Sequence, residues 1–81
     1  MVKLLFFAAL REQLGHSELQ LCLTAPLPLQ QLLQQLANQG GHWSVLNQPQ
    51  WLCARNQQLC ALTTHIANGD EVAVFPAVTG G

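Results

Sequence analysis

Asn68-Gly69-Asp70-Glu71-Val72-Ala73-Val74-Phe75-Pro76-Ala77-Val78-Thr79-Gly80-Gly81 is the stretch on which the reading of this sequence turns. Asn68-Gly69 signals a turn. Glu71 to Phe75 then reads as a strand with Val72 and Val74 on one side and Ala73 and Phe75 on the other, so both sides carry apolar groups. Pro76 lacks a ladder donor and ends the strand. Residues 76–81 bear no charged side chain, and their one ionisable group is the terminal carboxylate of Gly81. Extended at ~3.3–3.6 Å per residue, that tail reaches about 20 Å, enough to leave a folded body and enter a deep pocket on another protein. Glycine, having no Cβ, lets backbone approach a reacting group closely. A frayed or accidental Gly-Gly end has the same appearance, so the dipeptide takes its meaning from the body that carries it.

Working back from that strand, Val2 to Phe7 is an apolar run interrupted by Lys3, short enough for a buried strand at the centre of a sheet. Ala8 to Leu14 reads as a helix of about two turns, with Ala9 or Leu10 preceding Leu14 on its apolar side and Gly15 as its C-terminal cap. Glu18 to Thr24 alternates strictly, Leu19, Leu21 and Leu23 lying on one face of a strand. Pro26 and Pro28 break it, and Pro28 suits the first turn of the next helix. There Leu29, Leu32, Leu33, Leu36 and Ala37 form one stripe, while Gln30, Gln31, Gln34, Gln35 and Asn38 face outward. Gly40-Gly41 is expected to end this main helix by a left-handed cap. His42 to Leu46 adds a turn in which Trp43 plugs the core, and Asn47 to Gln50 reads as a loop. Trp51 to Arg55 and Gln58 to Leu62 form a hairpin about Asn56-Gln57. The predicted fold class is α+β, a mixed sheet of about five strands with one main helix packed on one face, over residues 1–75, with an extended tail over 76–81.

Eighty-one residues allow one small domain with a modest core. Apolar residues make up 49% and charged residues 9% of the chain, where roughly a quarter charged is usual. A body so poor in charge exposes apolar surface, and such surface marks an interface. With net charge −1 and Lys3, Arg11 and Arg55 scattered, there is no basic stripe to engage phosphates, so nucleic acid is not an expected partner. Leu4 to Leu10 is far short of the ~20 residues that span a bilayer and lacks a cleavage signal, which makes a cytoplasmic location the expectation. Cys22, Cys53 and Cys60 form no C-x-x-C pair. Cys53 and Cys60 fall opposite each other across the hairpin, so a disulfide is conceivable there, although a reducing cytosol disfavours one and free cysteine packs as a small hydrophobe. His16, His42 and His65 show no metal-ligand spacing, and no metal is expected.

If Phe7 and Phe75 lie on the sheet face away from the main helix, they have no helix to cover them. With Leu59 of the hairpin they either dock a partner through apolar burial or close the core of a small domain.

Leu4-Leu5-Phe6-Phe7-Ala8, Arg11-Glu12 before Gly15, Arg55-Asn56-Gln57, Asn68-Gly69-Asp70-Glu71-Val72 and Phe75-Pro76-Ala77-Val78-Thr79-Gly80-Gly81 together resemble the molybdopterin synthase small-subunit family, ubiquitin-like sulfur carriers of the molybdenum-cofactor pathway. The resemblance runs nearly end to end. It implies a β-grasp fold and a Gly81 carboxylate that an E1-like enzyme adenylates with ATP and a sulfur donor converts to a thiocarboxylate. It also implies a large synthase subunit, in a heterotetramer, that guides this sulfur onto a cyclic pterin precursor to build a dithiolene. Two sulfurs then need two carrier turnovers. The chain itself binds no cofactor in this picture and donates sulfur without being catalytic alone. Phe7, Leu59 and Phe75 become partner-facing, and Thr79 and Gly80 line the threaded tail. Arg11 is an additional contact that a solvated surface arginine explains equally well. The glutamine-rich face and missing polar N-cap of the main helix depart from the family pattern. Carriers for thiamine or cysteine synthesis, protein modifiers, and inert β-grasp interaction modules share the fold, although length and the F-P-x-V-T-G-G ending lean away from the thiamine carrier.

Overall fold

The computed structural model of the chain describes residues 1–48 and 51–76. The tail residues expected to carry the chemistry, Thr79, Gly80 and Gly81, lie outside them. In chain order the elements are β1 (Val2–Phe6), α1 (Ala8–Leu14), β2 (Glu18–Leu21), β3 (Leu27–Pro28), α2 (Leu29–Ala37), a 3-10 helix (Gly41–Asn47), β4 (Trp51–Arg55), β5 (Gln58–Cys60), β6 (His65–Ile66) and β7 (Glu71–Pro76). Five strands form one sheet in the order β2-β1-β7-β4-β5. The pair β1–β7 is parallel, and the other neighbours are antiparallel. This is the mixed sheet of the β-grasp fold.

Alternation along the strands sends one set of side chains into a single core. Val2, Leu4, Phe6, Val72 and Val74 are at most 1% exposed, and Trp51 and Cys53 join them from β4. The stripe predicted on α2 is buried in full, from Leu29 to Ala37. Each such leucine contributes about 1.5–3 kcal/mol relative to an exposed one. On α1 the buried residues are Leu10 and Leu14, whereas Ala9 is exposed. Gly15 caps that helix at φ 72, its N–H bonded to the Arg11 carbonyl. Trp43 is half-buried, edge-on to Phe6 with ring centroids 6.3 Å apart, so it closes the margin of the core.

Several boundaries differ from the sequence expectation, some for local reasons and some through contacts distant in the chain. β1 stops at Phe6 because Phe7 becomes the extended residue that opens α1. β2 stops at Leu21, and beyond it Leu23 exchanges two bonds with the Asn68 side chain, donating its N–H to Oδ1 at 2.9 Å and accepting from Nδ2 at 2.7 Å. α2 ends at Ala37 with Asn38 still right-handed, ahead of the glycines. The N–H groups of Gln39 and Gly40 bond back to Leu36 and Ala37, tightening the last turn, and Gly40 and Gly41 then lead the chain away at positive φ. Pro28 stands one position before the first turn of α2, extended and paired with His65 in the small β3–β6 ladder. No side chain caps this helix, because the N–H groups of Leu29 and Gln30 are taken up by the carbonyls of Thr64 and Leu62. The polar N-cap missing from the sequence is thus replaced by backbone. The hairpin turns at Asn56-Gln57 as expected, both residues having positive φ (50 and 70), the geometry of a type I′ turn.

Candidate functional site: the open face of the sheet and the base of the tail

The second set of alternating side chains lies on the sheet face over which, among the described residues, no helix packs. Register places Leu52 opposite Phe75, Ala54 opposite Ala73 and Leu59, and Leu5 beside Ala73. Phe7 joins this group at the end of β1, its N–H bonded to the Val74 carbonyl at 3.3 Å. Phe7, Leu52 and Leu59 are 45%, 44% and 76% exposed, while Phe75 is half-buried between its neighbours. The three residues expected to face a partner therefore share one face, and that face does not belong to the core. Leu52 completes it and was not singled out in the sequence. The signal was present in the alternation Trp51-Leu52-Cys53-Ala54, whose even positions oppose Phe75 and Ala73 once the register is known.

The face is graded. At its β2 margin Lys3 and Glu18 pair at 3.8 Å, both 43% exposed, and Gln20 donates to Glu18 at 3.2 Å. Toward β4 and β5 it becomes apolar. Arg11 is exposed on α1 one turn beyond Phe7, to whose carbonyl its N–H bonds at 3.4 Å. Among the described residues the ion pairs are Lys3–Glu18 and Arg55–Asp70, so Arg11 offers an uncommitted cation beside the apolar patch.

β7 is the base from which the tail departs, and it is held on both sides, parallel to β1 and antiparallel to β4 as far as Trp51 opposite Pro76. Its other end is fastened by Asp70. One oxygen of that carboxylate accepts the Ala67 N–H at 2.9 Å and the Arg55 guanidinium at 3.0 Å, and the other accepts the Asn56 amide at 3.2 Å. The Ala67 N–H, followed by Arg55 and Asn56, holds the Asp70 carboxyl below its ordinary value of 3.8, outweighing the opposing effect of burial. Asn56 also exchanges bonds with the backbone of Glu71, accepting its N–H at 3.0 Å and donating to its carbonyl at 2.7 Å. These bonds tie the hairpin that carries Leu52 and Leu59 to the start of the strand that leads to the tail.

Two further features lie away from this face. His16 stacks on Trp43 with ring centroids 5.3 Å apart. A groove of about 590 Å³ runs between α2 and the 3-10 helix, floored by Leu33, Leu46, Trp51 and Leu62 and rimmed by glutamines. Phe7, Leu59 and Phe75 are not among the residues that form either feature. Among the described residues no helix is long and apolar enough to cross a membrane.

The sequence profile of the ThiS family matches residues 4–81, nearly the whole chain. The chain belongs to the ThiS family. It is 39% identical over 82 residues to the molybdopterin synthase sulfur carrier subunit of Escherichia coli (strain K12), covering all of both chains. The corresponding subunit of Haemophilus influenzae is 40% identical over 85 residues, again with full coverage of both. That of Anopheles gambiae is 39% identical, with 99% of this chain and 91% of the relative aligned. Among solved structures, SAMP1 from Haloferax volcanii superposes with a TM-score of 0.77 at 24% identity, covering 99% of this chain and 98% of the other. At that identity the superposition establishes the shared fold. It gives this ThiS-family chain a structural neighbour built on the same sheet.

Proposed function

We propose that this chain is the sulfur carrier subunit of a molybdopterin synthase, delivering sulfur as a thiocarboxylate at Gly81 to a large synthase subunit. The observation that carries the reading is full-length identity of about two residues in five to sulfur carrier subunits of that synthase. The apolar face beside the tail-bearing strand supports it. Phe7, Leu52, Leu59 and Phe75 dock the large subunit by apolar burial, with Arg11 at the margin of the contact. Docking there fixes the base of the tail, and Thr79 and Gly80 thread Gly81 to the reaction centre.

A carboxylate resists nucleophiles because of its charge and poor leaving group, so activation must come first. An E1-like enzyme joins the Gly81 carboxylate to the adenylyl group of ATP, releasing pyrophosphate. A sulfur donor then displaces AMP, leaving the thiocarboxylate. The chain supplies the sulfur nucleophile, while the large subunit holds and orients the pterin, so rate acceleration by positioning belongs to the partner. Two such deliveries complete a dithiolene within a heterotetramer of two carriers and two large subunits. We further infer a cytoplasmic site of action, since activation consumes ATP.

The test is mass spectrometry after incubation with the E1-like enzyme, ATP and a sulfur donor. The expected product has one oxygen replaced by sulfur, confined to Gly81, and transfers that sulfur to the pterin in the presence of the large subunit. Adding one residue after Gly81 should abolish the transfer and leave docking intact. An unmodified terminus alongside an enzyme that modifies an E. coli carrier would sink the proposal.

A further inference from the structure

Cys53 and Cys60 are directly opposed across the β4–β5 hairpin, with their Sγ atoms 3.6 Å apart. The Cys53 thiol donates to the Cys60 carbonyl oxygen at 3.2 Å, and both thiols are free. Directly paired antiparallel residues have Cα atoms about 4.5–5.5 Å apart, within the range that disulfides span. The sulfurs can therefore close by side-chain rotation, with the strands staying in register. The two thiols differ in access: Cys53 is 2% exposed, whereas Cys60 is half-buried on the edge strand.

We propose that Cys53 and Cys60 are a redox pair that closes reversibly into an intrachain disulfide, with Cys60 meeting the oxidant and Cys53 resolving the intermediate. The co-reactant is a low-molecular-weight disulfide, for which oxidised glutathione serves as the probe. Cys60 gives its proton to solvent, and its thiolate attacks one glutathione sulfur. The glutathione S–S bond breaks, one glutathione thiolate leaves, and a mixed disulfide remains on Cys60. Cys53 then loses its proton and attacks the Cys60 sulfur, expelling the second glutathione. Two protein thiols have been oxidised by two electrons, and one glutathione disulfide has been reduced to two thiols. In the reduced pair, burial first and then the neighbouring Cys60 push the Cys53 thiol up to about 12; once Cys60 carries glutathione the burial remains, so resolution is slow near neutral pH and quickens as pH rises.

The lock lies on the core side of the hairpin, whereas Leu52 and Leu59 lie on the open side. Closing it leaves the apolar face uncovered and pins β5, an edge strand of three residues that carries the most exposed leucine of that face. Where disulfides do occur in reducing compartments, they are of this transient, redox-sensing kind.

The experiment uses the full chain carrying Cys22→Ser, which removes the exposed cysteine able to link two molecules. The protein is exposed to oxidised glutathione, quenched with acid, and mapped by peptide mass spectrometry. A glutathione adduct on Cys60 should appear first, followed by a species lighter than the starting protein by two hydrogens and joining the Cys53 and Cys60 peptides. Its rate of formation from the adduct should rise about tenfold per pH unit. In the closed form, amide exchange in β5 should slow by on the order of tenfold or more. Adding Cys53→Ser should halt the reaction at the Cys60 adduct, and Cys60→Ser should give neither adduct nor disulfide. Persistence of the adduct at alkaline pH in protein that retains Cys53, or free alkylation of both thiols after prolonged exposure to excess oxidised glutathione at that pH, would overturn the proposal.

Discussion

The two faces of the sheet are made from the same strands and are both apolar, yet they differ in what covers them. On the helix side Val2, Leu4, Phe6, Val72 and Val74 are shielded by α1, α2 and the 3-10 helix. On the other side Phe7, Leu52 and Leu59 stand in solvent, with Phe75 half-shielded among them. Hydrophobicity alone does not separate the two sets, because Val74 and Phe75 are adjacent in sequence and equally suited to a core. What separates them is parity in the strand, since a shift of one residue exchanges the faces. One face holds the domain together, and the other stands open among the described residues, which is why the docking role is proposed for it.

The largest effect should come from placing the same charge on each face. Val74→Asp puts an unpaired carboxylate into a fully buried site and should cost more than about 4 kcal/mol, leaving little folded protein by circular dichroism. Phe75→Asp, one position away, should keep a cooperative urea transition while weakening capture of the large synthase subunit by on the order of a hundredfold. A Phe75→Asp protein that binds at full strength would remove the open face from the docking role. Truncations should show the same split less severely. Leu4→Ala should lower stability by about 2–5 kcal/mol, whereas Leu59→Ala should change it by no more than about 0.5 kcal/mol. Calorimetry against the large subunit should reverse that order.

Much of this contrast was legible before any coordinates. The α2 stripe, the alternation in β7 and the Gly15 cap each depend on residues within a few positions of one another, and each appears where the pattern put it. What escaped depends on residues far apart in the chain. Leu52 joins the open face only because β4 lies beside β7 in one particular register. The missing N-cap of α2 is explained by the carbonyls of Leu62 and Thr64, which no local pattern announces. The β3–β6 pair consists of two-residue strands, too short to leave a periodic signal. At Asn56-Gln57 glutamine gains nothing at positive φ, and the bonds from Asn56 to Glu71 and Asp70 supply what the dipeptide lacks.

Asp70 connects the two faces, since it fastens the hairpin that bears Leu52 and Leu59 to the strand that bears Val72 and Val74. Replacing it with alanine should cost about 1–2 kcal/mol at neutral pH, the exposed Arg55 partner limiting the share due to charge. The pH dependence has a definite sign. The folded-state carboxyl is held below its ordinary 3.8, so its contribution is complete well above that value and is lost as pH falls through the lower folded value. Urea midpoints of the parent and Asp70→Asn should therefore converge as the solution is acidified past 3.8. A constant gap across that window would mean that the carboxylate charge is irrelevant to the fastening.

The smallest effect concerns how Phe7 reaches the open face. Ala8 opens α1 at φ 56, a left-handed conformation that costs a residue with a Cβ about 1–2 kcal/mol. That bend takes the chain from β1 into α1 while Phe7 stays extended, with its N–H on the Val74 carbonyl and its ring exposed. Ala8→Gly removes the steric cost in the folded state and adds freedom to the unfolded chain, and the first term is the larger. The variant should gain about 0.5 kcal/mol or slightly more in urea denaturation. Because glycine leaves Phe7 free to sample other angles, the same variant should bind the large subunit no more tightly than the parent. A gain in stability accompanied by equal or weaker binding would mark Ala8 as strain retained on the docking side, whereas a loss of stability would mean that the left-handed bend imposes no cost on alanine.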